Sequence, residues 1–348
     1  MIPFVYVRVP YDAVDHAANN SRAESLGFVH MGAEDSARKM AREGETMKRG
    51  WRTRAIGRHL VDIHENAKTI ENYSFNDVKI KVLKDIRSQA DYENLIIQKE
   101  RLLREARTAI HDSLFIERVS HSNGGVTLIS WPNVGSAARY QPYVFDTYFR
   151  AGNRFLGYSG KVSKSLRSSA LALCEELSRE WNQIPSGMVP EGVGFVVDDV
   201  ILVDNDFNPE SWRMVIQLHG KPDVSFELTS YARRRVGPGL RERAGGIVAG
   251  LLGTVAGFAR LRDRARPVGP IQADEILLAS TQDGKRGYGF KWEAPGKEYS
   301  LAEPNLNASL RVGESAYATN RESFASDDEA LELWDAVIDS IRLRPGAV

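Results

Sequence analysis

Short runs of β-prone residues, separated by Asn, Gly and Pro, fill most of this chain and restrict its possible folds more than any other feature. Four such runs follow one another between residues 113 and 160, and six more lie between residues 194 and 313. Short strands joined by turn-forming segments are typical of antiparallel sheets. The pattern therefore predicts a mostly antiparallel sheet in each half of the chain.

The segment from residue 73 to residue 85 carries a strand signal of a different kind. Three apolar residues alternate there with lysines, and they are Val78, Ile80 and Val82. A period of two places apolar and polar side chains on opposite faces of a strand. We therefore expect a half-buried strand whose exposed face is rich in lysine.

Apolar residues recur at helical spacing in three segments, and a helix is expected in each. The segments are 91–108, 163–184 and 326–345. The last opens with Ser326 and has Glu329 three positions later, the pattern of a capping box, and we expect it to stop at Pro345. Cys174 lies in the apolar stripe of the second helix, so it is predicted to be a buried core thiol. Helices packed on antiparallel sheets predict an α+β fold class.

Length and the distribution of Pro and Gly predict two domains. The chain has 348 residues, enough for roughly two domains, and Pro and Gly are concentrated between residues 184 and 192. The expected organisation is a helical lead-in at residues 1–50, an N-terminal domain at 51–186 and a C-terminal domain at 187–348, each of the two domains being α+β. The apolar positions of the second and third helices coincide at an offset of 160 residues. Whether the two halves are related by duplication stays open.

Composition excludes several classes of protein. The 46 basic residues balance 46 acidic ones, so no global positive field favours binding to nucleic acid. A single cysteine excludes an intramolecular disulfide and a cysteine-rich zinc site. No apolar run reaches the roughly 20 residues that span a bilayer, and the nearest, residues 244–259, is rich in glycine and read as helical. We therefore expect neither a nucleic-acid partner nor an integral membrane segment.

The motifs of the common catalytic and metal sites are missing from the sequence. No glycine-flanked serine of the hydrolase type is present, and the nearest string, at 157–160, lacks the second spacer residue. Histidines at zinc-protease spacing and a phosphate-binding glycine loop are also missing. Oxygen-bearing residues alternate in the segment 204–210 as calcium ligands do, but Pro209 and Val215 stand where an EF-hand needs glycine and glutamate. We expect no catalytic, metal or cofactor site, which indicates a binding protein.

Arginines surround the glycine-rich segment. They occur at 233–235 and at positions 241, 243, 260, 262, 264 and 266. A solvated rim around a helix is the favoured interpretation, and a patch that binds anionic membrane headgroups is the alternative.

Strings in both halves resemble one known family. They are residues 291–297, 300–304 and 330–346 in the second half, 54–62 in the first half, and 194–198 near the junction. The helix string that begins at residue 330 is the most specific of them. These strings resemble the immunity proteins that protect bacteria against family-four type VI secretion lipase effectors, and the resemblance covers about residues 45–348.

The resemblance implies a two-domain immunity protein without enzymatic activity or cofactor. Such a protein binds a cognate phospholipase effector in a complex of about 1:1, clamps it with both domains and blocks its active site. Family members act in the periplasm and often carry cysteine near the positions of Ala55 and Val196. Cysteine is present at neither position here, so the resemblance implies the loss of an interdomain disulfide. Because no signal peptide is visible, a cytoplasmic location follows if the chain as given is complete.

A protein without net charge needs local acidic or aromatic features to select a partner. The turn-rich segment with Asp204, Asp206 and Glu210, together with the neighbouring Trp212, is therefore the predicted partner-binding site. Two other functions stay open as alternatives. One is an enzyme with an unrecognised site, and the other is a protein that binds a membrane surface through the glycine-rich helix and its arginines.

Overall fold

The computed structural model describes residues 50–133, 140–243, 258–282, 284–312 and 323–348. In these ranges the helices are α1 (Gln89–Glu105), α2 (Arg167–Glu180) and α3 (Asp327–Ile338). The strands in the same ranges are β1 (Trp51–Ile56), β2 (His59–His64), β3 (Lys68–Phe75), β4 (Val78–Val82), β5 (Phe115–Ser120), β6 (Val126–Ser130), β7 (Tyr143–Ala151), β8 (Arg154–Val162), β9 (Trp181–Gln183), β10 (Phe195–Val197), β11 (Val200–Leu202), β12 (Glu210–Gln217), β13 (Val224–Tyr231), β14 (Phe258–Ala265), β15 (Asp274–Gln282), β16 (Lys285–Ala294), β17 (Asn305–Val312) and β18 (Arg342–Leu343). Strand outweighs helix, at 44% against 20%, and the predicted α+β class is confirmed.

Twelve of the described strands form one antiparallel sheet that passes through both halves of the chain. Its order is β14-β15-β16-β17-β13-β12-β3-β4-β8-β7-β6-β5. The halves join where β12 pairs with β3, from Glu210 opposite Phe75 to Gln217 opposite Lys68. A hydrogen-bonded ladder therefore connects the two sides of the predicted boundary near residue 187, and a division into domains at that point stays a prediction.

The lysine-rich segment 73–85 is a hairpin rather than one strand. After β3 the chain turns at Asn76 and Asp77, with φ of 51° and 61°, and β4 returns beside it. Asn and Asp tolerate this left-handed conformation, which a two-residue turn between twisted strands requires. Val78 and Ile80 are buried in β4 and the alternating Lys79 and Lys81 are exposed, so the predicted alternation is confirmed.

The predicted capping box at the start of α3 is also confirmed. The Ser326 hydroxyl accepts a hydrogen bond from the Glu329 N–H at 3.2 Å, and the Glu329 carboxylate accepts one from the Ala325 N–H at 2.7 Å. The predicted end at Pro345 is wrong. The helix ends at Ile338, because the chain then forms the short strand β18 against β2.

The first two helices are shorter than predicted, at 89–105 instead of 91–108 and 167–180 instead of 163–184. The residues after α2 extend as β9 and pair with β11, so strand pairing outweighs their helical pattern. Cys174 is buried in α2, as predicted, and burial raises the pKa of its thiol.

Helices α2 and α3 pack on one face of the large sheet, called here the inner face. The Trp334 ring of α3 lies with its centroid 5.4 Å from the Phe226 ring and 5.6 Å from the Phe290 ring. Ala170 of α2 shares a cluster with Phe145 of β7. Two three-stranded sheets, β1-β2-β18 and β9-β11-β10, complete this side, and each combines strands from both halves.

The arginine-rich segment 258–265 forms strand β14, so the predicted helix rim is wrong for these residues. Arg262 binds Asp335 of α3 through two guanidinium nitrogens, at 2.7 and 2.9 Å. Arg264 binds the fully buried Glu275 at 2.8 Å. The first pair attaches α3 to the sheet and the second joins β14 to β15, and both occupy charges that a headgroup patch would need. The predicted glycine-rich helix at residues 244–257 lies outside the described residues.

A buried ion pair lies behind the β3–β12 junction. The Arg58 guanidinium binds the Glu210 carboxylate through Nε at 2.8 Å and Nη2 at 3.1 Å, and the two side chains are 1% and 7% exposed. The neighbouring Gly57 exchanges two backbone hydrogen bonds with Val196, both at 2.9 Å. A Cβ on Gly57 would lie 2.2 Å from the Trp212 ring, and its φ is 55°, so only glycine fits this contact.

Residues 342–347 contact both the linker between the halves and the first strands of the described chain. Arg344 is fully buried and donates hydrogen bonds to the carbonyls of Pro190, Gly192 and Gly194 at 3.0, 2.5 and 2.7 Å. Arg58 in turn donates to the Ala347 carbonyl at 2.6 Å. The segment therefore ties the inter-half linker to the first strands of the chain.

Loss of the buried carboxylate is expected to cost much stability. Burial, opposed by Arg58, raises the pKa of the Glu210 carboxyl to about 7, so the comparison is made at pH 8, where this carboxyl is ionised. In Glu210→Gln, Arg58 then stays buried without a counter-charge, and the free energy of unfolding should fall by about 3–5 kcal/mol. Urea denaturation measures this. The exposed pair Arg213–Glu227 is the matched control, because Glu227→Gln should cost about 1 kcal/mol or less. Equal losses in the two variants would contradict the structural role of Glu210.

Stability should also depend on His59. Its ring nitrogens have no hydrogen-bond partner in the described part of the chain, and burial together with the charge of Arg58 lowers its pKa to about 4. The folded protein keeps His59 neutral, whereas the unfolded chain protonates it near pH 6.5. Stability should therefore fall as pH drops from about 6.5 to 4, by about 3 kcal/mol from this group. Urea unfolding of wild type and His59→Asn across this range isolates the effect, and parallel pH profiles would contradict it.

Candidate partner-binding surface

Five adjacent strands of the sheet present a polar outer face, opposite α2 and α3. They are β4, β3, β12, β13 and β17, and no helix of the described residues packs on this part of the outer face. We call it the bare strip. Its outward-facing residues are Ile70, Asn72, Ser74, Lys79, Lys81, Ser211, Arg213, Val215, Ser225, Glu227, Thr229, Tyr231, Asn307, Ser309 and Arg311.

Strand register aligns the side chains of the two halves in rows across the bare strip. One row runs from Asn72 through Arg213 and Thr229 to Asn307. Arg213 is fixed by two hydrogen bonds to Glu227, at 2.8 and 2.7 Å. The surface is therefore ordered, and strands from both halves build it jointly.

At each end of the bare strip, another part of the chain packs on the outer face of the sheet. At one end, Tyr92 and Ile96 of α1 pack on outward-facing residues of β6, β7 and β8. At the other end, Leu240 packs on Ile276 and Leu278 of β15. The strip thus forms the floor of a shallow cleft whose two walls come from different halves of the chain.

The bare strip and its border are positively charged. The exposed basic side chains are Lys79, Lys81, Arg213, Lys291 and Arg311. Glu227 is the acidic residue of the strip, and Arg213 already neutralises it. Two depressions, of about 280 and 410 Å³, meet at Tyr231, whose ring lies 5.1 Å from the Arg233 guanidinium. Together with Ile70, which is 64% exposed, this ring gives the strip apolar contact points.

Two of the predicted partner-binding residues are buried on the opposite face. Glu210 is paired with Arg58, and Trp212 is 3% exposed and packs beside His59, with ring centroids 6.1 Å apart. Both side chains therefore have a structural role, and their predicted contact with a partner stays a prediction. The alternation of β12, in which Glu210, Trp212, Met214 and Ile216 all face inward, is the sequence signal that could have shown this.

The other two predicted residues lie in the loop between β11 and β12. Asp206 is exposed, and Asp204 is half-buried. The Asp204 carboxylate accepts hydrogen bonds from the Asp206 N–H and the Asn208 side-chain amide, both at 3.0 Å. This is the turn that the sequence predicted in place of a calcium site, and their role in partner binding stays a prediction. No group of three metal-binding side chains occurs among the described residues.

A charged network joins the halves beside the strip. Arg54 binds Glu71 at 2.9 Å and Asp198 at 3.1 Å, and Lys84 binds Asp198 at 2.8 Å. Burial opposes ionisation of Asp198, but Lys84 and Arg54 outweigh it and lower the pKa of that carboxyl. Arg54 and Asp198 belong to strings that carried the family resemblance, and the structure brings these strings together.

The two positions at which the resemblance leads one to expect cysteine, 55 and 196, lie next to each other in this contact between the halves. Ala55 packs against the buried cluster of Ile184, Val196 and Ile201. Residues 55 and 196 thus share one apolar cluster.

Two observations on the described residues concern the serine of the string 157–160 and the length of the helices. Ser159 lies within strand β8, away from any strand-to-helix turn, and its hydroxyl donates to the Asp146 carboxylate. Among the helices that the structure describes, none has the length and apolar character needed to cross a bilayer.

Comparisons with known proteins agree with this geometry. The family model of the Tle cognate immunity protein 4 C-terminal domain matches residues 188–346. The apo immunity protein TplEi of the type VI secretion system from Pseudomonas aeruginosa is 32% identical, with a TM-score of 0.79 over 86% of this chain and 98% of that one. A chain of the Tle4–Tli4 complex is 32% identical, with a TM-score of 0.80 over 87% of this chain and all of that one. TplEi in complex with an "L" peptide is 31% identical, with a TM-score of 0.76 over 86% of this chain and 100% of that one.

Among curated protein sequences, none matches this chain. The structural matches, however, combine more than 30% identity with nearly the full length of the relatives. The chain therefore belongs to the family of type VI secretion immunity proteins that contains Tli4 and TplEi.

Proposed function

We propose that this protein binds a cognate type VI lipase effector of family four in a 1:1 complex, blocks its active site and has no catalytic activity of its own. Its relative Tli4 occurs in a complex with Tle4. The observation that carries the proposal is the bare strip, because it is the polar surface to which strands of both halves contribute in register. The periplasm, where the family resemblance places such proteins, is the proposed site of action.

The dimensions of the strip support a clamp. Five strands at about 4.8 Å spacing and eight residues at about 3.4 Å cover at most roughly 650 Å². A stable complex buries about 800 Å² on each partner. The strip alone is too small, and α1 at one end and the segment around Leu240 at the other would supply the remainder. An effector held in this way contacts both halves at once.

The charge of the strip indicates the kind of effector surface that it fits. Lys81 from the first half and Arg311 from the second are both exposed, so an acidic surface would gain favourable contacts with each half. Tyr231 and Arg213 are of the residue types that most often dominate interface energies. Electrostatic attraction of this kind accelerates association and weakens with salt.

Charge reversal in the two halves tests the proposal. Lys81→Glu and Arg311→Glu should each weaken binding of the cognate effector about tenfold, and the double variant about a hundredfold, because about 1.4 kcal/mol is lost per site. Isothermal titration calorimetry at two salt concentrations measures this, together with survival of cells that express the effector. Lys164→Glu is the control, since Lys164 is exposed at the start of α2 on the opposite face.

Three outcomes would count against the proposal. Wild-type protein that forms no complex with the effector would remove it, and so would phospholipid turnover by the purified protein alone. Binding of wild type to anionic vesicles, lost in the double variant while effector binding persists, would favour the membrane-surface alternative.

A further inference from the structure

A second concave surface lies around the end of the bare strip. It is a cleft of about 430 Å³ between α2 and the loop at residues 203–209, and Asn76 of the β3–β4 turn also lines it. The last row of the strip holds Ser74 and Ser211, whose hydroxyl oxygens are 2.6 Å apart. Ser74 is two residues along the chain from Asn76 and Ser211 is three from Asn208, and both asparagines line the cleft. A partner that covers the strip would therefore reach the cleft by extending past the β3–β4 turn.

The lining of the cleft is partly apolar. Val203 is 39% exposed, and Leu173 and Phe207 are half-buried beside it. The Phe207 ring is held by Tyr299, with centroids 5.1 Å apart. These groups would lose contact with water if a partner's side chain entered.

The rim of the cleft is acidic. Glu176 and Glu180 of α2 face the cleft from one side, and Asp204 and Asp206 of the loop face it from the other. No lysine or arginine lines it, and in the described part of the chain none of these carboxylates has an ion-pair partner. Four negative charges around one cleft repel one another, and a positive group between them would relieve this repulsion.

Asn76 supplies an independent sign of a missing partner. Its side chain is 2% exposed, and its Oδ1 has no hydrogen-bond donor among the described residues. Buried polar atoms are rarely left without a partner. An acceptor of this kind requires a donor, and ammonium and guanidinium groups carry only donors.

We propose that the cleft receives a lysine or arginine side chain, flanked by apolar residues, from a segment of the cognate effector. The inference rests on the proposed function and extends it, because the effector surface would be acidic over the bare strip and basic at its end. The aliphatic stem of the side chain packs on Leu173 and Val203. Its charged end lies among the carboxylates and donates to Asn76.

A double neutralisation tests the cleft. Glu176→Gln/Asp204→Asn should weaken effector binding about thirtyfold in calorimetry, with less loss at high salt. The matched control Asp112→Asn/Glu332→Gln removes the same two kinds of charge from exposed positions elsewhere and should bind as the wild type does. Thermal unfolding of both variants checks that they are folded. Carbodiimide, a zero-length cross-linker, should join Glu176 or Asp206 to an effector lysine when the entering residue is lysine.

The outcomes separate the two proposals. If the wild type forms no complex, the proposed function fails and the cleft inference fails with it. If the wild type binds and the double variant at the cleft binds equally well, only the cleft inference is overturned. Weakened binding in that variant, with the control unchanged, supports both.

Discussion

The pairing of β12 with β3 is the constraint on which the shape of this protein depends. Eight consecutive residues of each strand pair, so side chains from two distant parts of the chain share one face at fixed spacing. Behind the ladder, Arg58 and Glu210 form a buried ion pair that stays favourable only while both strands keep their places. Loss of this register would separate the rows of the bare strip, and with them the surface that we propose for effector binding.

The formal net charge of this chain is zero, but its surface has regions of opposite charge. The bare strip is basic, whereas the cleft beside α2 is acidic. In the described segment around β14, by contrast, the arginines form ion pairs within the fold. Arg262 binds Asp335, and Arg264 binds Glu275. Net charge therefore says little about protein partners. The distribution of unpaired charge is what distinguishes a binding surface from a structural network.

Local signals predicted much of the fold, and long-range contacts account for the rest. The alternation in β4 and the cap at Ser326 depend on neighbouring residues, so both were readable from the sequence. The end of α3, by contrast, depends on β18 reaching β2, which no local pattern encodes. Glu210 and Trp212 were predicted to bind a partner because a protein without net charge needs local acidic or aromatic features for this, yet the facing strand and Arg58 bury them. The bare strip was not predicted, because its residues become neighbours only through the β3–β12 register.

The segment at residues 342–347 has a consequence for the order of events during synthesis. Strand β2 near the start of the described chain receives its neighbour β18 only when residue 343 is available, and Arg344 supplies donors to carbonyls at 190–194. While these residues are still inside the ribosome, the first half exposes an unpaired strand edge and Arg58 lacks one of its acceptors. A nascent chain would therefore keep this edge unpaired until residues 342–347 have left the ribosome, and a variant that lacks these residues would keep it unpaired permanently.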